Sequence, residues 1–234
     1  MYQIPEKPKI SIVIPTLNEE KLIERTLVKA REAAPEAEII VVDGGSKDRT
    51  VEIAKKYARV FYSRGTIATA RNIGAKNAKG DILLFLDADT ILTKEFVDET
   101  LKYMRVPEVV GTGGMIMPMK TDVITEIVFY FFNILIMLSF LYGRPVLAGT
   151  CVAYKKKPFM EVGGFDEEMA ASEDFDLCIR ISRKGKVVFF RHIVVRTSRR
   201  RLEALGLGGL IDDWSRTTVQ FLLGKKQKEY RLFH

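Results

Sequence analysis

Short unbroken apolar runs alternate, along the first half of this chain, with stretches in which apolar residues recur every three or four positions. "ISIVI" (10–14) is a β-branched run closed by Pro15 and predicts a strand. In "NEEKLIERTLVKAREAA" the apolar positions Leu22, Ile23, Leu27 and Ala30 fall at helical spacing; Asn18 is placed to cap that helix, and Glu19 and Glu20 suit the positive end of its dipole. "EIIVV" then predicts a strand, "DGGSKDRT" a loop with Ser46 and Asp48 as cap candidates, and "VEIAKKYA" a helix. "RVFYS" reads as a strand, "TIATARNIGAKNA" as a helix stopped at Gly80, and "DILLFL" as a strand. Continuous apolar strands alternating with helices predict an α/β fold whose mostly parallel sheet is covered on both faces. The second half is less regular. "VVGTGGMIM", "GTCVAY" and "VVFF" predict further strands, "SEDFDLCIRISRKG" a helix ended by Gly185, and the chain beyond Arg196 helices with a basic tail.

Size and charge narrow this picture. A chain of 234 residues that is 47% hydrophobic can bury one sizeable core. Its net charge of +7 points to an anionic partner. The excess is local: residues 191–201 hold five arginines and no acid, and "GKKQKEYR" is basic again. No zinc spacing, RNA-sheet signature or aromatic-interleaved basic groove accompanies it, so nucleic acid is not the expected partner. Cys151 and Cys178 lack metal spacing and read as reduced thiols of a cytosolic protein. The polar, proline-bearing start "MYQIPEKPK" does not read as a signal peptide.

In open α/β sheets ligands bind beyond the carboxyl ends of the strands. Asp43 closes its strand there, and Asp87 and Asp89, in "LLFLDADT", extend just past theirs. Residues i and i+2 of an extended segment face the same way, so the two acids can share a site. Their repulsion is tolerable where a divalent cation, Mg2+ or Mn2+, and a diphosphate complete it. The plain alternative is two solvated strand-end acids.

Together, "SIVIPTLNEE", "VVDGGSKDRT", "ARNIGAKNAKGDILLFLDADT", "VGGFDE" and "SEDFDLCIR" resemble the family 2 glycosyltransferases of GT-A fold, in that family's order, over roughly residues 9–186. The resemblance implies a nucleoside-diphosphate sugar, UDP- or GDP-linked, as donor. It places Pro15, Thr16, Leu17 and Glu19 along the nucleoside pocket and Asp43 on the base. It puts Arg71 near the nucleotide and makes Asp87-Ala88-Asp89 the segment that holds ribose and metal, with Asp89 the firmer metal ligand. In "SEDFDLCIR" it makes Asp174 the general base of an inverting transfer, supported by Glu173. "TSRRRLEALG" is similar to a C-terminal arginine pair in one branch of the family, so Arg199 and Arg200 are expected to fold over the diphosphate or to face lipid headgroups. Gly163 and Gly164 are expected to turn beneath the acceptor. His192 reads as a packed strand residue rather than a third metal ligand.

The apolar segment 127–142 would make a helix of about 24 Å, short of a roughly 30 Å hydrocarbon core. It also lies between Asp89 and Asp174, which a single crossing would place on opposite sides of a bilayer. It is therefore not expected to span. Three readings stay open: a helix lying in the membrane interface, a homodimer contact, or internal core.

The expectation is a catalytic domain over residues 1–190, including the apolar helix near 122–142, followed by a basic helical extension over 191–234. Its activity would be metal-dependent hexosyl transfer from a nucleotide sugar to an acceptor at the cytoplasmic membrane face. Polyprenyl phosphates and lipids are acceptors in the family, though the arginine that dolichyl-phosphate relatives carry after the "VVG" strand is missing from "GTGGMIM". The alternatives are a soluble dimeric transferase with a non-lipid acceptor and a non-catalytic membrane-bound scaffold. A nucleotidyltransferase is disfavoured because "PTLNEE" is not a glycine-rich triphosphate loop.

Overall fold

A computed structural model describes residues 9–224. The start "MYQIPEKP" and the tail beyond Gly224, including "KKQKEYR", lie outside the described residues. One eight-stranded sheet forms the centre. Its strands are β1 (Ile10–Thr16), β2 (Glu38–Asp43), β3 (Arg59–Tyr62), β4 (Ile82–Leu86), β5 (Thr90–Ile91), β6 (Val109–Pro118), β7 (Cys151–Lys155) and β8 (Lys186–Thr197), in the order β3-β2-β1-β4-β7-β6-β8-β5. β3, β2, β1 and β4 run parallel, as do β6 and β8; β7 is antiparallel to β4 and β6, and β5 to β8. Register puts Thr16 beside Asp43 and Asp43 beside Tyr62, so the ends of the first strands form one edge.

The helices are α1 (Ile23–Ala33), α2 (Thr50–Ala54), α3 (Ile67–Asn77), α4 (Lys94–Met104), α5 (Val123–Leu141), α6 (Lys156–Glu161), α7 (Glu173–Ser182) and α8 (Arg200–Leu222). On one face, Ile23, Leu27, Phe96 and Val97 from α1 and α4 pack with Ile12, Ile14 and Leu84. On the other, Ala68 and Ala75 of α3, Phe159 of α6 and Leu177 and Ile181 of α7 pack with Val13, Leu83 and Phe85. Gly74 lets α3 lie close to the sheet: a Cβ there would come within 2.2 Å of Val13. A smaller cluster of Ile116, Phe129, Leu202 and Leu210 joins β6, α5 and α8.

Several boundaries differ from the sequence expectation. Asn18 does not cap α1, which starts only at Ile23. It adopts a left-handed conformation (φ 53°), and its side chain accepts from Lys47 N–H instead. The division at 190/191 falls inside β8, so the basic extension leaves the sheet only after Thr197. Thr93 accepts from Phe96 N–H and starts α4, a helix the sequence reading passed over.

α5 lies along the body. Midway along it Asn133, 1% exposed, accepts from Ile116 N–H (2.9 Å) and donates to Ile116 C=O (2.8 Å) of β6. It also donates to Phe129 C=O (2.7 Å). Trp214 of α8 stacks on Phe132 (4.4 Å) and meets Phe129 edge-on (5.1 Å). The opposite side of α5 is bare.

Candidate active site

The crevice is built from three strand ends. After β1, "PTLNEE" is laced to "GGSKDRT" after β2. Asn18 N–H donates to Ser46 Oγ (2.8 Å), Glu19 N–H to Thr50 Oγ1 (2.7 Å) and Glu20 N–H to Asp48 Oδ2 (3.1 Å). Pro15 and Thr16 are buried and Leu17 is half-buried. Asp43, 1% exposed, accepts from Gly45 and Ser46 N–H at 2.9 Å each and from the hydroxyls of Ser46 (2.5 Å) and Thr16 (3.3 Å). Its carboxylate thus holds the glycine turn. The base contact implied by the resemblance would need one of those hydroxyls to yield.

Arg71, expected near the nucleotide, is 2% exposed, and its guanidinium donates to Glu173 (2.6 Å), Asp87 (2.9 Å) and Gly149 C=O (3.3 Å). The result is an ion pair between α3 and α7 that extends to the segment after β4. Burial works against its charge, but Asp87 and Glu173 hold its pKa above the usual range. Both acids feel the burial too. Asp87 is pushed up to about 6, by desolvation first and by repulsion from Asp89, with Arg71 pulling the other way. Glu173 is pushed up to about 7 by desolvation and by Asp174, again opposed by Arg71.

Asp174 begins α7 beside Glu173. One oxygen accepts from Gly149 N–H (2.6 Å) and the other from Phe175 N–H (2.9 Å), which fixes the carboxylate; burial raises its pKa. Ser172, left-handed (φ 60°), precedes it with no side-chain cap bond. Gly149 was not anticipated, and nothing in "LAGTC" marks it. It touches both Asp174 and Arg71, while Asp87 N–H donates to the next carbonyl, that of Thr150 (3.0 Å).

Ala88 turns into the core, so Asp87 and Asp89 lie on either side of it. Asp89 accepts from Ser198 Oγ (2.5 Å) and Thr197 Oγ1 (3.2 Å) at the end of β8. Arg200 then reaches across. It makes a two-pronged bond to Glu19 at 2.7 Å in each arm and lies 3.8 Å from Asp89. Arg199 instead donates to Lys120 C=O, and His192, expected to be packed, is exposed on β8 beside Phe190. Gly163 (φ 84°) and Gly164 (φ 71°) form the expected turn, clamped by Asn72, which donates to Phe165 C=O and accepts from Phe165 N–H at 2.9 Å each. Asn72 was also missed.

Asp43 closes β2 and Asp87 and Asp89 follow β4 on the same edge of the sheet, while Glu173 and Asp174, at the start of α7, are tied to Asp87 through Arg71 and Gly149. Among the described residues no three His, Cys, Asp or Glu side chains form a ready cage. Asp87 and Asp89 nevertheless suit a hard cation that takes one or two carboxylates and completes its shell with phosphate oxygens.

A sequence profile described as "Glycosyl transferase family 2" matches residues 11–163, which include the strand-end acids and the glycine turn. The chain belongs to this family. A curated relative from Methanococcus voltae, a dolichyl N-acetyl-α-D-glucosaminyl phosphate 3-β-D-2,3-diacetamido-2,3-dideoxy-β-D-glucuronosyltransferase, is 26% identical over 209 residues. That match takes in 75% of this chain but only 62% of the relative's length. Among solved structures, the mannosyltransferase PcManGT from Pyrobaculum calidifontis, in complex with GDP-Man and Mn2+, superposes with a TM-score of 0.65 at 21% identity, covering 90% of this chain and 65% of that one. Glucosyl-3-phosphoglycerate synthase from Mycobacterium tuberculosis, bound to Mn2+, UDP and glucosyl-3-phosphoglycerate, gives 0.64 at 20% identity over 96% of this chain and 83% of that one. The family 2 chain thus shares the GT-A arrangement: a central mixed sheet flanked by helices.

Proposed function

We propose that this family 2 protein transfers a sugar, with inversion, from a UDP- or GDP-linked donor to an acceptor presented at the cytoplasmic face of a membrane. The observation that carries this reading is the Arg71 network. It joins Asp87, from the strand end expected to hold nucleotide and metal, to Glu173 beside the expected base, so donor and acceptor chemistry share one rigid frame.

In this reading Asp174 takes the proton of an acceptor hydroxyl as the new bond to the anomeric carbon forms and the bond to the diphosphate breaks. Its two backbone donors aim it, and burial makes it more basic than a solvated aspartate. Arg200, released from Glu19, meets the charge of the departing diphosphate. Asp89 with Asp87 would hold a Mg2+ or Mn2+ ion, which would further stabilise that charge. An acceptor phosphate would already lack its proton, and Asp174 would then position rather than deprotonate it. A lipid-linked acceptor fits the bare apolar side of α5, close in the chain to the Gly149 contact.

Thermal-shift screening of UDP- and GDP-sugars with and without Mn2+ tests the donor, since a ligand that binds the folded state alone stabilises it by mass action. Asp89→Ala is expected to abolish metal-dependent stabilisation and turnover. Asp174→Asn is expected to keep donor binding and lose at least about 100-fold in turnover. Binding of nucleotide sugars without turnover, under any acceptor, would favour the scaffold reading.

A further inference from the structure

α5 leaves a long side uncovered. Ile124, Ile127, Phe131, Leu135 and Leu138 are 38–65% exposed and recur at three- and four-residue spacing, so they form one strip; Tyr130 and Tyr142 border it at 57% and 81%. α8 is held to α5 by Trp214, which stacks on Phe132. The side chains on the other side of α5, Thr125, Phe129, Asn133 and Ile136, are buried.

Crossing a bilayer is ruled out by position. By length and composition α5 is long and apolar enough to cross, at about 28 Å for its 19 residues. Its preceding strand β6 and following strand β7 are neighbours in the sheet, however, and Asn133 fastens its middle to Ile116. A span would strip the helix from the sheet and strand a buried amide. The helix lies flat.

Charge indicates what the strip meets. Between Glu126 and Arg144 there is no charged residue. Lys120 precedes the helix and Arg144 follows it, both exposed and without an acid partner among the described residues. Its own acids stay in the first turn, where Asp122 caps Thr125 and Glu126 is exposed. Tyrosines beside an apolar strip, with cations beyond its ends, match the layering of a bilayer surface: acyl chains, interface, anionic headgroups.

We propose that the α5 strip lies in the headgroup–acyl boundary of an anionic bilayer, with Lys120 and Arg144 on lipid phosphates. This deepens the reading of the site as a transferase with a lipid-linked acceptor and rests on it for the purpose of the contact. Segment 143–150 then runs from the membrane surface to Gly149, whose amide holds Asp174. An acceptor headgroup entering beside that segment meets the base without its lipid leaving the bilayer.

The test is flotation of the full chain with phosphatidylcholine vesicles lacking or containing phosphatidylglycerol. Each basic residue near such a surface contributes about 1 kcal/mol, so Lys120 and Arg144 together predict roughly 30-fold tighter binding to the anionic vesicles, lost in Lys120→Glu/Arg144→Glu and weakened by salt. Ile127→Glu/Phe131→Glu/Leu135→Glu, all at exposed positions, is expected to abolish flotation while keeping the native melting transition and the release of nucleoside diphosphate from soluble donor. Undiminished flotation of this triple variant overturns the proposal. So does a wild-type dimer that the triple variant converts to monomers with vesicle binding unchanged, because a second copy would then own the strip. Flotation as described, with no donor turnover by the wild type, would sink the transferase reading and leave the membrane contact standing.

Discussion

Replacing Arg71 by methionine removes one cation from between two acids. Arg71 is buried, and its partners Glu173 and Asp87 have side chains only 8% and 30% exposed. Removing one partner of such a pair strands the other's charge, at a cost of about 3–5 kcal/mol. The pH dependence identifies the cause. Arg71 lowers the pKa of both carboxyls from where burial alone would leave them. Without it both rise further, and the folded variant keeps protons that the unfolded chain has released. Stability then falls as pH rises from the ordinary carboxylate range through the raised values. The deficit of Arg71→Met should therefore be full near about pH 8 and shrink towards about pH 5, where both acids are neutral and Arg71 would itself be the unpaired charge. Urea unfolding at several pH values measures it, and Arg71→Met/Glu173→Gln should recover part of the loss at the alkaline end. A deficit that stays constant with pH, or that never exceeds about 1 kcal/mol, would refute the network as described.

Two further outcomes are expected. Arg200→Ala should weaken UDP or GDP binding about tenfold by calorimetry, the worth of one charge-assisted bond, whereas Glu19→Gln, by releasing Arg200, should not weaken it. Equal losses in the two variants would mean that Glu19 itself touches the nucleotide. Asn133→Leu leaves Ile116 N–H and C=O unpaired in the interior and should cost about 2–4 kcal/mol in urea unfolding, with faster amide exchange at Ile116; an unchanged midpoint would show that α5 is not fastened there.

The alternation of "ISIVI", "EIIVV" and "DILLFL" with helical spacing predicted the parallel half of the sheet because buried strands are apolar on both faces and need no partner to be recognised. The acids were legible for the same reason: a carboxylate directly after such a run must sit at the rim. What stayed hidden depends on distance in the chain. The burial of Arg71 has no local sign, because Glu173, which neutralises it, lies 102 residues later. The bond from Ser198 to Asp89 is equally silent, with 109 residues between them. Gly149 acts through its backbone, which carries no residue signature. Asn18 satisfied every local rule for a helix cap, yet its loop was claimed by "GGSKDRT". The basic arginines divided by partner: Arg200 went to Glu19, Arg199 to a carbonyl.

Gly149 also limits how the chain can be rebuilt. Its N–H aims Asp174 and its carbonyl receives Arg71, while a Cβ there would lie 3.0 Å from the guanidinium. Lengthening or shortening segment 143–150 by one residue would pull that backbone off both partners at once. Grafting a different docking helix onto this scaffold should therefore tolerate new sequence on its outer side and extra residues ahead of Asp122, but no change in spacing between Leu141 and Thr150.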